Sequence, residues 1–250
     1  ASSRSKGSTI DFGENKSVAV GDLAEYDFSD TDIAIFSPGA KISSEFAPKA
    51  AKQGCIVIDN TSHFRTDPDV PLVIAEVNPE ALKNFRNKNI ISNPNCSTMG
   101  MLVAIKPLHD QFQVKRIVVS TYQSVSGGGK EAADELFNQT KSIYANEAIV
   151  KEKFTKQIAF NVIPHIDVFL DDGQTKEEWK MYNETKKILD PQIELTATCV
   201  RVPVFVSHSL AVNVEFEKEY SEDQIREIFK TAPGLKMIDY RADEGYVTPV

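Results

Sequence analysis

Short apolar runs alternate with helical spacing through the first half of the chain. "DIAIFS" (32–37), "CIVIDN" (55–60) and "PLVIAEV" (71–77) each read as a buried strand, and "SSEFAPKAAKQG" between the first two carries a helical pattern. Strand, helix, strand with continuously apolar strands predicts βαβ units and a parallel sheet. "NIISNPNCS" passes through turn formers into an apolar-periodic helix near 97–110, and "RIVVSTYQ" (116–123) is another buried strand. "SGGGKEAADELFNQTKSIYANEA" is a glycine turn entering a long helix, with backbone N–H groups exposed at its start.

The second half is less uniform. Residues 151–175 are irregular and partly extended, whereas "TKEEWKMYNETKKIL" (175–189) reads as a helix capped by Thr175, with Glu178 completing a capping box. "ELTATCVRVPVF" and "LAVNVEFEKE" are two strands flanking the polar hinge "VSHS". "SEDQIREIFKTAPG" is a last capped helix with a glycine beyond its end. No repeat, low-complexity stretch or linker interrupts this order, and an α/β class follows from it.

Composition narrows the partners. Across 250 residues, 41% hydrophobic and 26% charged content suits a globular core. A balance of 28 basic against 36 acidic residues, net −8, argues against nucleic acid or an anionic membrane as a general partner. A local arginine cluster can still bind an anionic small molecule. No apolar run approaches a membrane span, and nothing at the start reads as a signal peptide. The three cysteines, at 55, 96 and 199, fit reduced thiols of a cytoplasmic protein better than a disulfide framework. Cys55 and Cys199 lie in strand interiors and read as buried hydrophobes.

Cys96 is different, because it sits between the turn "SNPN" and a helix. A helix N-terminus lowers a thiol pKa, and a nearby histidine completes activation, so position leaves nucleophile and structural thiol as alternatives. "CVRVPVFVSHSLAV" holds Arg201, whose planar fork suits a carboxylate or phosphate, and His208, which can exchange protons near neutral pH. Strict strand alternation puts 201 and 208 on opposite faces, unless Pro203 or "VSHS" breaks it. His63, His109 and His165 read as structural or solvated, and no CxxC, HExxH or compact Cys/His spacing supports a metal. Arg65 follows a strand in "DNTSHFR", where open α/β sheets place ligands. Glu177 and Lys180 share a helix face, and a surface ion pair is their simplest reading.

Taken together, these stretches resemble the aspartate-β-semialdehyde dehydrogenase family. The resemblance rests on "FSPGAKISSEFAPKAAKQGCIVIDNTSHFR", "LVIAEVN", "SNPNCSTMGMLVAI", "STYQSVSGGG", "KEEWKMYNETKKIL" and "CVRVPVFVSHS", in the family's order. It implies a Rossmann-like parallel-sheet cofactor domain over 1–95 and an α+β catalytic and dimerisation domain with a mixed sheet over 96–250. The family's first strand with its glycine-rich turn, and its C-terminal stretch, are expected to lie outside this chain, which reads as cut at both ends.

The same resemblance implies an activity: reduction of aspartyl-β-phosphate by NADPH to aspartate-β-semialdehyde, for lysine, threonine and methionine synthesis. Cys96 would attack the acyl phosphate to give a thioester, which hydride from the nicotinamide reduces. His208 would be the acid–base residue, with Asn95 and Gln123 positioning the acyl group and the nucleophile. Arg201 would hold the substrate α-carboxylate, Glu177 its amino group, and Arg65 with Lys180 the phosphate. Ser3, Arg4 and Ser5 match the segment that meets the 2′-phosphate and favour NADP over NAD. Ser37, Gly39, Ser126 and Gly127 would line the rest of the cofactor path. A homodimer or homotetramer is expected.

Two chemical rivals stay open at this point. An N-acetyl-γ-glutamyl-phosphate reductase would share the thioester chemistry and the layout, although the "KEEWK" helix and the paired arginine and histidine favour the aspartyl enzyme. A Cys–His hydrolase or acyltransferase without a redox cofactor would leave Arg4 and the glycine turns unexplained. A fold that has lost catalysis would not need the whole motif set.

Overall fold

The computed structural model describes residues 5–240 and 242–249. Two compact units divide the chain, Ala1–Pro94 and Asn95–Val250.

The first unit opens with a hairpin that the apolar pattern does not signal, β1 (Thr9–Asp11) antiparallel to β2 (Ser17–Ala19), because every residue of both strands is exposed. It is followed in the chain by a three-stranded parallel sheet of β3 (Ile33–Phe36), β4 (Ile56–Asp59) and β5 (Ile90–Ser92) in the order β3-β4-β5. Ile33 is in register with Ile56, and Val57 with Ile90. Helix α1 (Ala40–Lys52) makes the crossover and buries Ala47, Ala50 and Ala51 with Val57, Phe64, Val70 and Ile90.

The expected strand at 71–77 is a correction. Only Leu72 makes a bridge, to Ser92, and residues 90–92 supply the third strand instead. The reason is Asn78, whose side chain accepts from Ile74 N–H at 2.8 Å and donates to Leu72 O at 2.9 Å. Those bonds turn the chain where an extended strand would have continued.

The second unit begins with α2 (Cys96–Phe112), followed by β6 (Val114–Gln123), a 3-10 turn (Val125–Gly128) and α3 (Lys130–Ala145). After an irregular stretch come α4 (Lys176–Ile188), β7 (Glu194–Arg201), β8 (His208–Phe216) and α5 (Glu222–Thr231). The capping box expected at α4 is present, and α5, expected only to be capped, carries one as well. Thr175 pairs with Glu178 at α4, and Ser221 with Gln224 at α5. The sheet is mixed, in the order β7-β6-β8, with β6 parallel to β7 and antiparallel to β8.

The irregular segment is held by α3. Glu135 accepts the backbone N–H groups of Glu152, Lys153 and Phe154, and Gln139 accepts those of Ile158 and Ala159. Buried backbone donors need such partners. Ile158, Ala159 and Ile163 then pack with Val125, Ala132 and Leu136.

Candidate active site

Three strands bring three chemistry-bearing residues into one row. Gln123, the last residue of β6, is the register partner both of Arg201, which ends β7, and of His208, which opens β8. Register partners on neighbouring strands stand on the same face of a sheet. The alternation argument that separated Arg201 from His208 is therefore corrected. Residues 202–207 leave the sheet, Ser207 adopts φ 69°, and the chain re-enters on the other side of β6. Gly127 lies against this row: a Cβ built there would stand 3.1 Å from Arg201 Nη1 and 3.6 Å from His208 Nε2.

His208 is arranged to hold its proton on either ring nitrogen. Its Nδ1 lies 3.0 Å from the Ser124 N–H donor and 3.0 Å from the Ser207 carbonyl acceptor. Either neutral tautomer thus finds a partner at Nδ1. Burial lowers its pKa, and the Arg201 charge adds to the fall. The neutral imidazole is favoured at neutral pH. Arg201 donates from Nη1 to Ser124 O at 2.6 Å, and burial works against its charge while Glu177 partly offsets that cost.

Asn95 precedes α2 as its N-cap, with Oδ1 accepting from Ser97 N–H at 2.9 Å and Thr98 N–H at 3.3 Å. Its Nδ2 donates to Glu177 Oε1 at 2.8 Å, and Gln123 Nε2 donates to the same oxygen at 3.0 Å. Thr121 Oγ1 in turn donates to Gln123 Oε1 at 2.9 Å. Lys180 Nζ reaches Glu177 Oε2 at 3.1 Å and Asp167 at 2.7 Å. The expected surface pair is a buried one, since Glu177 is 5% exposed and the Lys180 side chain 13%. Burial pushes the Glu177 carboxyl upward, but Lys180, Gln123 and Asn95 outweigh it and hold the group ionised below its ordinary range. Burial likewise opposes the Lys180 charge, yet Glu177 and Asp167 carry its pKa above the usual lysine value.

Cys96 is exposed, unlike Cys55 and Cys199. The expectation of an acidified thiol is corrected. Partial loss of water around Sγ raises its pKa, the Glu177 carboxylate raises it further, and Ser97 with Arg201 only partly counteracts them. The helix terminus is present, but its Ser97 and Thr98 N–H groups are already engaged by Asn95. Cys199 is more inert, with its thiol pushed up to about 12, chiefly by burial.

In the first unit, Arg65 is buried and donates from Nε to Asn93 O at 2.9 Å and from Nη2 to Asn60 O at 3.2 Å. Ser37 Oγ accepts from Asn60 Nδ2 at 3.4 Å. Gly39 precedes α1 at φ 91°, and no side chain caps that helix. Ser5 accepts a hydrogen bond from the Ser8 hydroxyl on its carbonyl oxygen. Ser3 and Arg4 lie outside the described residues. In the second unit, Ser126 N–H donates to Phe205 O, and its hydroxyl pairs with that of Ser124. Sequence reasoning missed Ser124 and Asp167. Ser124 follows a strand-ending Gln, which is a usable signal; Asp167 sits at φ 70° in an irregular segment, which no spacing announces.

Among the described residues no group of three His, Cys, Asp or Glu side chains is placed to hold a metal ion, and no helix is long and apolar enough to cross a membrane.

Comparison with known proteins places both units. The family described as "Semialdehyde dehydrogenase, NAD binding domain" matches residues 1–85, and "Semialdehyde dehydrogenase, dimerisation domain" matches 105–250. Aspartate-semialdehyde dehydrogenase of Aquifex aeolicus is 51% identical, over 100% of this chain and 74% of that protein. The enzyme of the same name from Shewanella sp. is 50% identical, over 100% of this chain and 73% of that one. The crystal structure of aspartate semialdehyde dehydrogenase II from Vibrio cholerae complexed with ASA superposes with a TM-score of 0.92 at 50% identity, covering 94% of this chain and 70% of that chain.

Proposed function

The chain belongs to the aspartate-semialdehyde dehydrogenase family, and from that premise we propose that it serves the reductive dephosphorylation of aspartyl-β-phosphate to aspartate-β-semialdehyde, with Cys96 as nucleophile and NADPH as reductant. The observation that carries this reading is the Gln123–Arg201–His208 row with Gly127 against it, joined to Asn95, the residue before Cys96, through Glu177 Oε1, which accepts from both Gln123 and Asn95.

His208 Nε2 takes the Cys96 proton, which a raised thiol pKa requires of some base. Sγ then bonds to the acyl carbon, the carbon–oxygen bond to phosphate breaks, and phosphate leaves with that electron pair. A thioester on Cys96 separates phosphate loss from reduction, splitting one hard step into two. The second proton on Asn95 Nδ2 and the backbone N–H groups beside Cys96 are the donors available to the acyl oxygen. Arg201 grips the α-carboxylate, its fork matching that group in shape and charge. Glu177 takes the amino group; the third Lys180 proton, free of Glu177 and Asp167, is the second unit's candidate donor to the phosphate, and Arg65 is the first unit's.

Each unit by itself offers backbone that supports a dinucleotide. Gly39 leaves the first N–H groups of α1 without a side-chain cap, which suits a phosphate, and Gly127 presents bare backbone beside His208. NADPH, when bound, supplies the hydride for the thioester carbon. Ser37, Ser126 and Gly127 would hold it, and Ser3, Arg4 and Ser5 would select NADP through the 2′-phosphate. A homodimer or homotetramer in the cytoplasm completes the reading.

The test is the reverse reaction of the whole protein, with NADP, phosphate and aspartate semialdehyde, followed at the nicotinamide absorbance. Turnover is expected with this aldehyde in preference to N-acetyl-glutamate semialdehyde, and with NADP in preference to NAD. Cys96→Ala is expected to abolish it with an unchanged melting temperature, and Cys96→Ser to keep at most a trace. Undiminished turnover in Cys96→Ala would overturn the nucleophile assignment.

A further inference from the structure

Asn95 immediately precedes Cys96, and every one of its polar groups is engaged. Its carbonyl accepts from Met99 N–H at 2.9 Å, Oδ1 caps α2, and Nδ2 donates to Glu177. The remaining group, its backbone N–H, donates to Glu184 Oε2 at 2.7 Å. Glu184 is 3% exposed and lies 89 residues from Asn95 in the sequence.

Glu177 and Glu184 are seven residues apart on α4, two helical turns, and so project from the same face. That face also buries Met181, Thr185 and Ile188. A carboxylate among such neighbours calls for a polar partner, because an unpaired buried charge is costly. The two glutamates reach Asn95 through different atoms, one through the side-chain amide and one through the main chain. Two anchors from one rigid helix fix both the peptide plane entering Asn95 and its rotamer. The Pro94 ring restricts the chain on the other side. Cys96 is covalently next.

We propose that Glu184 is a positioning residue for catalysis, holding the Asn95 backbone so that Cys96 Sγ stands in line with the acyl carbon. The role deepens the reading given above and rests on it, because it assumes that Cys96 is the nucleophile. A small displacement of a reacting atom costs far more in rate than in substrate affinity. Loss of Glu184 is therefore expected in kcat rather than in KM.

The experiment compares wild type, Glu184→Gln and Glu184→Ala in the whole protein, reading melting temperature, kcat, KM for aspartate semialdehyde, and the rate of Cys96 alkylation by iodoacetamide across pH. Glutamine keeps a carbonyl oxygen able to accept the Asn95 N–H; alanine does not. Glu184→Ala is expected to lower kcat about 10²-fold with KM within about twofold, on the scale of a misplaced reacting group, and to alter the alkylation profile. Glu184→Gln is expected to restore kcat to within about threefold of wild type, a loss worth less than 1 kcal/mol. A Glu184→Ala protein that melts earlier but keeps wild-type kcat and alkylation overturns the proposal. So does a Glu184→Gln protein with native melting and a kcat loss beyond tenfold, which is decisive even where the alanine variant does not fold. A wild type without activity on this aldehyde counts against the proposed reaction instead, and the alkylation profile still reads the Glu184 clamp.

Discussion

Two helices begin at candidate ligand sites, and they begin in opposite ways. Helix α1 follows Gly39, which offers no side chain and leaves the first N–H groups without a side-chain cap. Helix α2 follows Asn95, whose side-chain amide takes the Ser97 and Thr98 N–H groups and donates to Glu177, while its backbone N–H donates to Glu184. The same dipole stands at both ends. At α1 the exposed Gly39 leaves it without a side-chain cap. At α2 the first N–H groups are taken by the cap, and the Cys96 thiol is pushed up, first by partial loss of water and then by the Glu177 carboxylate. An N-terminus is thus an anion site only where the sequence leaves it open. Where it is closed, the terminus serves to place a side chain, and the proton on that side chain needs a base such as His208.

The contrast is broken most severely by opening α2. Asn95→Ala removes the cap, costing about 1 kcal/mol of stability, and leaves one oxygen of the buried Glu177 with only Gln123. A turnover loss of about 10²-fold is expected, the scale of a misplaced nucleophile, along with a lower melting temperature. Steady-state kinetics with calorimetry reads both. Turnover within a few-fold of wild type would mean that the cap does not place Cys96.

Closing α1 is the complementary change. Gly39→Ser adds a capping hydroxyl and a Cβ at φ 91°, ψ 153°, a conformation that costs a side chain about 1–3 kcal/mol. The KM for NADPH is expected to rise about tenfold, equivalent to about 1.4 kcal/mol, with kcat within twofold. An unchanged NADPH affinity would show that the open terminus is not where a cofactor phosphate rests.

How far all this was legible depends on the range of the interaction. The parallel sheet and the α-helices follow from local apolar periodicity, and the α4 capping box from four consecutive residues. The false strand at 71–77 failed on one side chain, Asn78, folding back on the chain that precedes it. The Gln123–Arg201–His208 row was invisible because alternation speaks only within one strand, whereas the row is made by register across three. The thiol's direction was misjudged for a similar reason: the dipole is local, but the partial loss of water around Sγ is made by the fold, and Glu177, the next cause, arrives from 81 residues further along the chain. Glu184 carried a signal that was there to be used, an acidic residue on the buried face of an amphipathic helix, two turns from another.

The finest adjustment leaves both termini intact and changes one charge. In Glu177→Gln the side chain still offers an oxygen to Asn95 and Gln123, but the negative charge beside Cys96 is gone. That charge raises the thiol pKa, so its removal lowers it. At neutral pH the thiol lies below its midpoint, where the thiolate fraction grows tenfold for each unit the pKa falls. Cys96 alkylation is therefore expected to quicken several-fold at pH 7 and to converge with wild type in strong alkali. Turnover should fall at the same time, since Glu177 also anchors Lys180 and takes the substrate amino group in the proposed reaction. The stability profile gives an independent check. The folded pKa of Glu177 is depressed, so wild type holds its contribution above the ordinary carboxylate range and loses it as pH falls through the lowered value. The variant should lack that part of the acid dependence. Slower alkylation in Glu177→Gln would reverse the sign and place control of the thiol elsewhere than in this carboxylate.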